Sequence, residues 1–463
     1  MFAYFTGSIF LAIFVTVLAT DAVNTDIVNN NVDRAIDITS QLVKTTYKVT
    51  MENTGKSPVK TFHFAMEKDL KPSISFISCH SLEGKKNLKI LFTNVQGHED
   101  KLLWKVELNN NLQPGKSTTV EIETVLTHNL KPYPAAITQK EKQLLLYTGN
   151  AYFYSPYKTL KQITTVMLGT KNVENYSKIK PTSLSDTNVV YGPYSNVEPF
   201  SIEKMVVHYE NNSPFVTVTN LEKVIEVSHW GNIAIEETIS MEHKGALLKN
   251  SFSRYDYQRE SQSGLSSVKS FKTILPASAT DVYYRDEIGN ISTSHMRILP
   301  DSVELDLRPR FPLFGGWKTK YTLGYNVPSY EYLYNSGNQY LLKIRILDHI
   351  FDDMIVENLI TKIILPEGTT NVKLKTPYQV QRLPDELHFT YLDTSGRKVI
   401  ILKKDNLVEN HIQDFELSYT FPKVLMLQEP LLAIAAFYIM FLLVIIYVRL
   451  DFSITKHDAK KDE

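Results

Sequence analysis

Residues 430–451 read PLLAIAAFYIMFLLVIIYVRLD, and the 18 residues from Leu431 to Val448 are apolar or small without interruption. At about 1.5 Å per residue a helix of this run reaches roughly 27 Å, enough for a thin bilayer. A helix in a soluble core shows a polar face, and this run has none. Pro430 opens it, where a missing N–H costs little. Tyr447 suits the interface, and Arg449, Lys456, Lys460 and Lys461 follow. The positive-inside rule then places the tail, 449–463, in the cytosol and everything before 430 on the other side.

The amino terminus fits that orientation. SIFLAIFVTVLA (8–19) has the length of a signal-peptide core, and Val17-Leu18-Ala19 offers small side chains for cleavage. The residues before it lack Lys or Arg. The reading is a signal peptide over 1–19, a luminal part, one membrane helix over 430–448 and a short cytosolic tail. A single cysteine, Cys79, rules out an intramolecular disulfide, so the luminal domains must stand on burial alone. The balance of 50 basic and 50 acidic residues gives no electrostatic reason for nucleic-acid binding.

Alternation with a period of two recurs through the luminal part. Val43, Thr45, Tyr47, Val49 and Met51 share one strand face. Ile233, Ile235, Glu237, Ile239 and Met241 do the same, with Glu237 the exception. The stretches VKTTYKVTMENTG (43–55) and IAIEETISMEHKG (233–245) are offset by 190 residues. GKSTTVEIETVL (115–126) pairs with GGWKTKYTLGYNV (315–327), and MVVHYENNSPF (205–215) with FELSYTFPKVL (415–425). These pairs predict a mainly β protein with two tandem antiparallel, sandwich-like lobes over 24–216 and 217–427. Gly315-Gly316, Asn335-Ser336-Gly337-Asn338 and Asp393-Thr394-Ser395-Gly396 read as turns. HIFDDMIVENLI (349–360) is the one candidate helix in this part.

A search for catalytic groups returns little. There is no H-E-x-x-H and no G-x-S-x-G; His98-Glu99, Gly55-Lys56-Ser57 and Gly115-Lys116-Ser117 are incomplete. Cys79 and His80 are strand neighbours and point to opposite faces, so Cys79 reads as a buried structural thiol. Asp352-Asp353 lacks further spaced ligands and reads as a solvated pair. SRYDYQRE (253–260), YYRDEIG (283–289) and PSYEYLYN (328–335) are either a polar groove for peptide or sugar, or cross-strand aromatic pairs with charges at the solvent face. The second reading is favoured, and no catalytic residue, cofactor or metal site is assigned.

Over 229–430 ordered blocks become specific: HWGNIAIEET, SFSRYDYQRE, SFKTILPASATDVYYRDEIGNISTSH, RPRFPLFGGWKTKY, PSYEYLYN, KIILPEG, PDELHFTYLDT and VLMLQEPLL. Together with YVRLDFSITK they closely resemble the ribophorin I family, subunit 1 of the oligosaccharyltransferase complex. The likeness thins over 24–216, although YGPYSNVEPFS (191–201) is also similar. It implies a non-catalytic subunit in the endoplasmic reticulum membrane. The complex moves a preassembled glycan from dolichyl diphosphate to Asn of N-x-Ser/Thr in nascent polypeptides. Implied partners are the other subunits, the catalytic one included, nascent polypeptides and the translocon. Animal relatives carry a longer cytosolic domain than the 15 residues after Val448 here, which puts contacts made through that domain in doubt. A substrate-selective membrane chaperone or cargo receptor is the alternative reading.

Several residues carry site expectations. Lys460 and Lys461 stand where a dilysine retrieval signal would. Ala433, Ala435 and Ala436 are small enough to admit a neighbouring helix. Asn290, Asn175 and Asn211 begin acceptor sequences; Pro214 hinders Asn211, and the turn signal Gly289-Asn290 favours Asn290.

Overall fold

A computed structural model of the chain describes residues 22–84, 86–260 and 263–450. The expected signal peptide, 1–19, and Lys460 and Lys461 lie outside the described residues. The chain divides into two compact units, one holding the described residues up to Lys131 and Leu145–Asn211, the other Pro132–Leu144 and the residues from Asn212 onward. The excursion Pro132–Leu144 therefore leaves the first half of the sequence to fold with the second unit. There Ala136–Ile137 pairs in parallel with Leu247–Leu248, and the Gln143 side chain accepts from Ala246 N at 2.9 Å.

The units repeat each other strand for strand. In the first, the central sheet runs Asn188–Val197, Thr159–Met167, Ile27–Asp37, Val43–Asn53, Ser117–Leu126, Ile74–Ser81. In the second, it runs Arg397–Leu407, Ile355–Ile364, Val216–Val227, Asn232–His243, Lys318–Pro328, Thr280–Asp286. Each unit adds a three-stranded and a four-stranded sheet in matching order; Val59–Met66, Leu102–Leu112 and Lys89–Thr93 answer to Phe271–Pro276, Ser302–Leu307 and His295–Ile298. Even the irregularities recur, since the first hairpin of each unit slips register at Asn29/Asn31 and at Val218/Asn220. The three sequence pairs offset by about two hundred residues are thus equivalent strands, and the mainly β reading with tandem lobes holds.

Two expectations are corrected. The central sheets are mixed rather than purely antiparallel. Ile27–Asp37 pairs in parallel with Thr159–Met167, as Val216–Val227 does with Ile355–Ile364. The candidate helix at 349–360 is instead a turn leading into the strand Ile355–Ile364. That strand sits inside the sheet with Leu359, Thr361 and Ile363 buried and Ile360 and Lys362 half-buried between them, but an isoleucine on the outer face and a threonine on the inner one blur the period of two in the residues. Conversely, Arg254–Arg259 forms a short helix, its first turn capped by Ser253 Oγ accepting from Asp256 N at 3.2 Å.

A buried cation sits at the same point of both repeats. Arg34 faces Tyr47 across one pairing and Thr164 across the other. Lys223 faces Glu237 and Thr361 in the same two directions. Arg34 spends its donors on the carbonyls of Asn150, Ala151 and Tyr152 at 2.5, 2.8 and 3.0 Å and on Thr164 Oγ1 at 3.1 Å. Lys223, fully buried, has Nζ 2.7 Å from Asp348 Oδ2 and 3.5 Å from Glu237 Oε1. Tyr325 Oη also donates to Asp348. Burial pushes the Glu237 carboxyl up to about 8, with the Asp348 charge adding to the rise. Burial acts the same way on Asp348, but Lys223 outweighs it and holds that carboxyl below its ordinary value. One lysinium, one carboxylate and one neutral acid balance near neutrality, which is how three ionisable groups share an apolar interior.

The sign of the pH dependence follows. Glu237 keeps its proton in the fold to about pH 8 and releases it near 4.5 when unfolded. Its contribution to stability is therefore complete below its unfolded pKa and drains away as pH rises toward its folded one. Glu237→Gln keeps the neutral shape and removes the drain. Melting of the detergent-solubilised chain should show the variant gaining on the parent with pH, by a few kcal/mol at about pH 8. Parallel melting curves against pH would contradict a protonated Glu237.

Candidate membrane-junction site

The helix Gln428–Arg449 continues the short 3-10 turn Lys423–Leu427, and together they form the one described segment long and apolar enough to cross a membrane. Its mean hydropathy is 2.9, and the protein buries none of it. The 22 residues of the helix extend roughly 33 Å. Pro430 lies in the first turn, where backbone N–H groups lack helical partners anyway. Ala433 and Ala436, one turn apart, share a face; Ala433 is half-buried, Ala435 and Ala436 exposed.

The start of this helix is fastened to the second unit by two charged residues. Glu367 follows the strand Ile355–Ile364, and its Oε1 accepts from the backbone N of Thr394, Ser395 and Gly396 and from the hydroxyls of Thr394 and Ser395. Its Oε2 accepts from Gln428 Nε2 at 2.7 Å, and Gln428 also donates to Thr394 Oγ1 at 2.9 Å. Partial burial disfavours the charged carboxylate, but the donors from Ser395 and Thr394 prevail and hold Glu367 down at about 2. Arg397 spreads its guanidinium over three carboxylates: Glu226 at 2.9 Å, Asp393 at 3.2 Å and Glu429 at 2.9 Å. A sheet strand, a turn and the membrane helix thus meet on one side chain. Behind them a cleft is lined by His229, Trp230, Phe421 and Met426. Burial lowers His229 to about 4, so it is neutral as it packs on Tyr340 and Phe421 and pairs with Tyr419 Oη at 2.8 Å. The assembly is mechanical in character: it fixes the helix start on the lobe.

The residues singled out by sequence do not converge. Asn290 is exposed on a turn where Asp286 accepts from Ile288 N and Gly289 N, each at 3.0 Å. Arg310 closes that turn by donating to the Gly289 carbonyl at 3.1 Å. Gly289, at φ +144, supplies backbone that other residues resist. Tyr284 packs edge-on against Tyr321, and Tyr283 donates to Glu236. Asn175 is exposed on the edge strand Val173–Tyr176. Asn211 is corrected as an acceptor: it is buried and donates to the Ile38, Thr39 and Ser40 carbonyls at 3.3, 3.1 and 3.4 Å, leaving no room for a glycan on that nitrogen in the folded unit. Cys79 is buried, which pushes its thiol up to about 12, while His80 lies on the other face.

Among the described residues, three groups able to ligate a metal meet at His80, Glu121 and Glu123 and at His349, Asp352 and Glu409. His80 Nε2 lies 3.4 and 3.8 Å from its two carboxylates, and His349 Nε2 lies 3.1 and 3.8 Å from its own. Each cluster sets one histidine between two partly exposed carboxylates, and Asp352 is 79% exposed beside His349, a surface carboxylate as expected. The junction residues Glu367, Arg397, Gln428 and Glu429 escaped the sequence reading, although KIILPEG and VLMLQEPLL contain three of them. A Gln-Glu pair at the mouth of an apolar helix was the available signal.

Fold and junction together define a membrane-anchored protein whose duplicated mixed-β units end on one apolar helix. The chain belongs to the ribophorin I family, whose model matches residues 27–448. It is 46% identical to dolichyl-diphosphooligosaccharide–protein glycosyltransferase subunit 1 of Caenorhabditis elegans, over 94% of this chain and 74% of that one. Subunits 1A and 1B of Arabidopsis thaliana are 37% and 36% identical, covering 96% and 97% of this chain and 74% and 98% of theirs. A solved M1 zinc metallopeptidase from Deinococcus radiodurans covers 44% of this chain and 42% of its own, with TM-score 0.27 and 9% identity, too slight to bear on function.

Removing the Glu367 carboxylate leaves the donors of 394–396 without their shared acceptor. Glu367→Ala should cost about 1.5–3 kcal/mol of local stability, a tenfold to hundredfold rise in protease cleavage within 389–396. Cleavage at the parental rate would show that the turn holds without it.

Proposed function

We propose that this chain serves as a supporting, non-catalytic subunit of an oligosaccharyltransferase in the endoplasmic reticulum membrane, with both β units in the lumen and the tail after Arg449 in the cytosol. Family membership across nearly the whole chain carries this reading, since its relatives bear the name of subunit 1 of that glycosyltransferase. The chemistry of the described surface is in keeping. The polar assembly of Glu367, Arg397, Gln428 and Glu429 orients the apolar helix on the second unit. In this reading the units brace the complex and present acceptor polypeptide arriving from the translocon to the catalytic subunit. The Ala433–Ala436 face admits a helix of a neighbouring subunit, and Lys460 and Lys461 return escaped protein to the endoplasmic reticulum.

Blue-native electrophoresis in gentle detergent tests the core of it. The chain should migrate with a large assembly containing the other subunits, and migration near its own 53.0 kDa would refute the assignment. Depletion should under-glycosylate many secretory proteins; a loss confined to a few clients would indicate a cargo receptor instead. Replacing both Ala433 and Ala436 with Leu should lower recovery of the other subunits after mild extraction, and full recovery would remove that face from the interface. Asn290→Gln should abolish one endoglycosidase-sensitive mobility step. An unchanged pattern would show that Asn290 is not occupied.

A further inference from the structure

We infer that the helix-bearing end of the second unit is itself a lipid-binding surface, seating Trp230, Tyr330, Phe389 and Tyr391 in the headgroup layer around the membrane helix. The inference rests on the reading of Gln428–Arg449 as the membrane span. It begins with strand register. Glu226 lies beside Ile364, and Ile364 beside Val399, so the turns at 228–231 and 389–396 share one end of the central sheet. Asn232 lies beside Pro328, and Ser329 N donates to the Gly231 carbonyl at 3.0 Å, which brings Tyr330 to the same end. Glu367 and Arg397 hold Gln428 and Glu429 there too. Three separate turns therefore surround the place where the helix leaves the unit.

What those turns expose is apolar and aromatic. Trp230 is 64% exposed, Tyr330 78%, Phe389 60% and Tyr391 fully, with Leu387 and Leu392 beside them. Val424 and Leu427, which lead into the helix, are exposed as well. Below the tip, polar groups anchor the loop: Asp385 pairs with Arg382 at 2.9 Å and Lys398 at 3.5 Å, and Asp393 with Arg397. Apolar tips on charged stems, rich in Trp and Tyr, match a bilayer interface, where a ring meets acyl chains and its polar edge meets water. At the opposite end the turns 347–354 and 405–414 expose no large apolar residue among those described, and the exposed ones near the far ends of Asn232–His243, Thr280–Asp286 and Lys318–Pro328 are Leu247, Ile288 and Phe311, with no Trp or Tyr among them. Reach agrees as well. Tyr391 lies three residues from Thr394, which is bonded to Gln428, so its ring stays within about 10–15 Å of the helix start, near enough to reach a headgroup layer roughly 5–8 Å deep on each side of the bilayer. Continuity with the apolar helix selects lipid as the occupant.

Site-directed spin labelling of the full chain in phosphatidylcholine vesicles tests this. Cys79, buried with its thiol pushed up to about 12, stays unlabelled, so Tyr391→Cys, Asp352→Cys and Phe441→Cys each carry one nitroxide. Collision with oxygen relative to a water-soluble nickel chelate reports depth. The ratio at 391 should exceed that at 352 several-fold and fall between it and that at 441. A lipid-like 441 with a 391 as aqueous as 352 would overturn the inference and leave the span intact, whereas an aqueous 441 would overturn both. A 391 label shielded from both reagents in the intact complex would show that protein covers this end, and would likewise overturn it.

Discussion

Each repeat of this protein is organised around one cation that water cannot reach. Arg34 and Lys223 sit where the parallel pair of the central sheet meets its first hairpin, so every neighbouring strand must supply something to them. The first unit answers with carbonyls from 150–152, the second with the Asp348 carboxylate and a protonated Glu237. Hydrophobic burial accepts many arrangements of strands, but a buried charge accepts only the one that solvates it. With one cysteine in the chain, this polar bookmark does some of the specifying that cross-links do in disulfide-stapled domains.

The two solutions also show how a duplicated framework diverges. Thr164 and Thr361 stay in place across the parallel pairing, while Tyr47 and Glu237 exchange an aromatic for an acid. The partner of the cation then follows: an arginine fork can be satisfied by several carbonyls, whereas a compact ammonium needs a counter-charge close by. The order of the six central strands and the register slip of the first hairpin are shared by both units, so the framework tolerates a change in its most demanding interior site.

Much of the fold was legible in the sequence because half-exposed strands print their period in the residues. Val43–Asn53 and Asn232–His243 did so, and Glu237 stood out as an acid on a core face because it is one. Where that print fails, the physics explains it. Ile355–Ile364 puts Ile360 on its outer face and Thr361 on its inner one, so its residues lose the alternation that its burial keeps. The parallel pairings join strands far apart in sequence, and local pattern carries no record of a partner. The same holds for the junction: Glu226, Glu367, Arg397 and Glu429 come from four distant segments, and each alone reads as a surface charge. Turns held by their own residues, such as Asp286 to Asn290, were legible in full. Asn211 was not, since its burial depends on carbonyls from 38–40.

The excursion Pro132–Leu144 gives the order of synthesis a structural meaning. Ala136–Ile137 leaves the ribosome roughly a hundred residues ahead of the strand it pairs with, an interval on the order of 5–20 s at ordinary elongation rates. The first unit receives its last strand, Lys204–Glu210, only late in that interval, and from then until Leu247–Leu248 emerges a piece of the second hangs from it unpaired. Translation rate and the chaperones waiting in the compartment thus become part of this protein's folding pathway, and a pause placed between the two repeats would lengthen the exposure of that one segment.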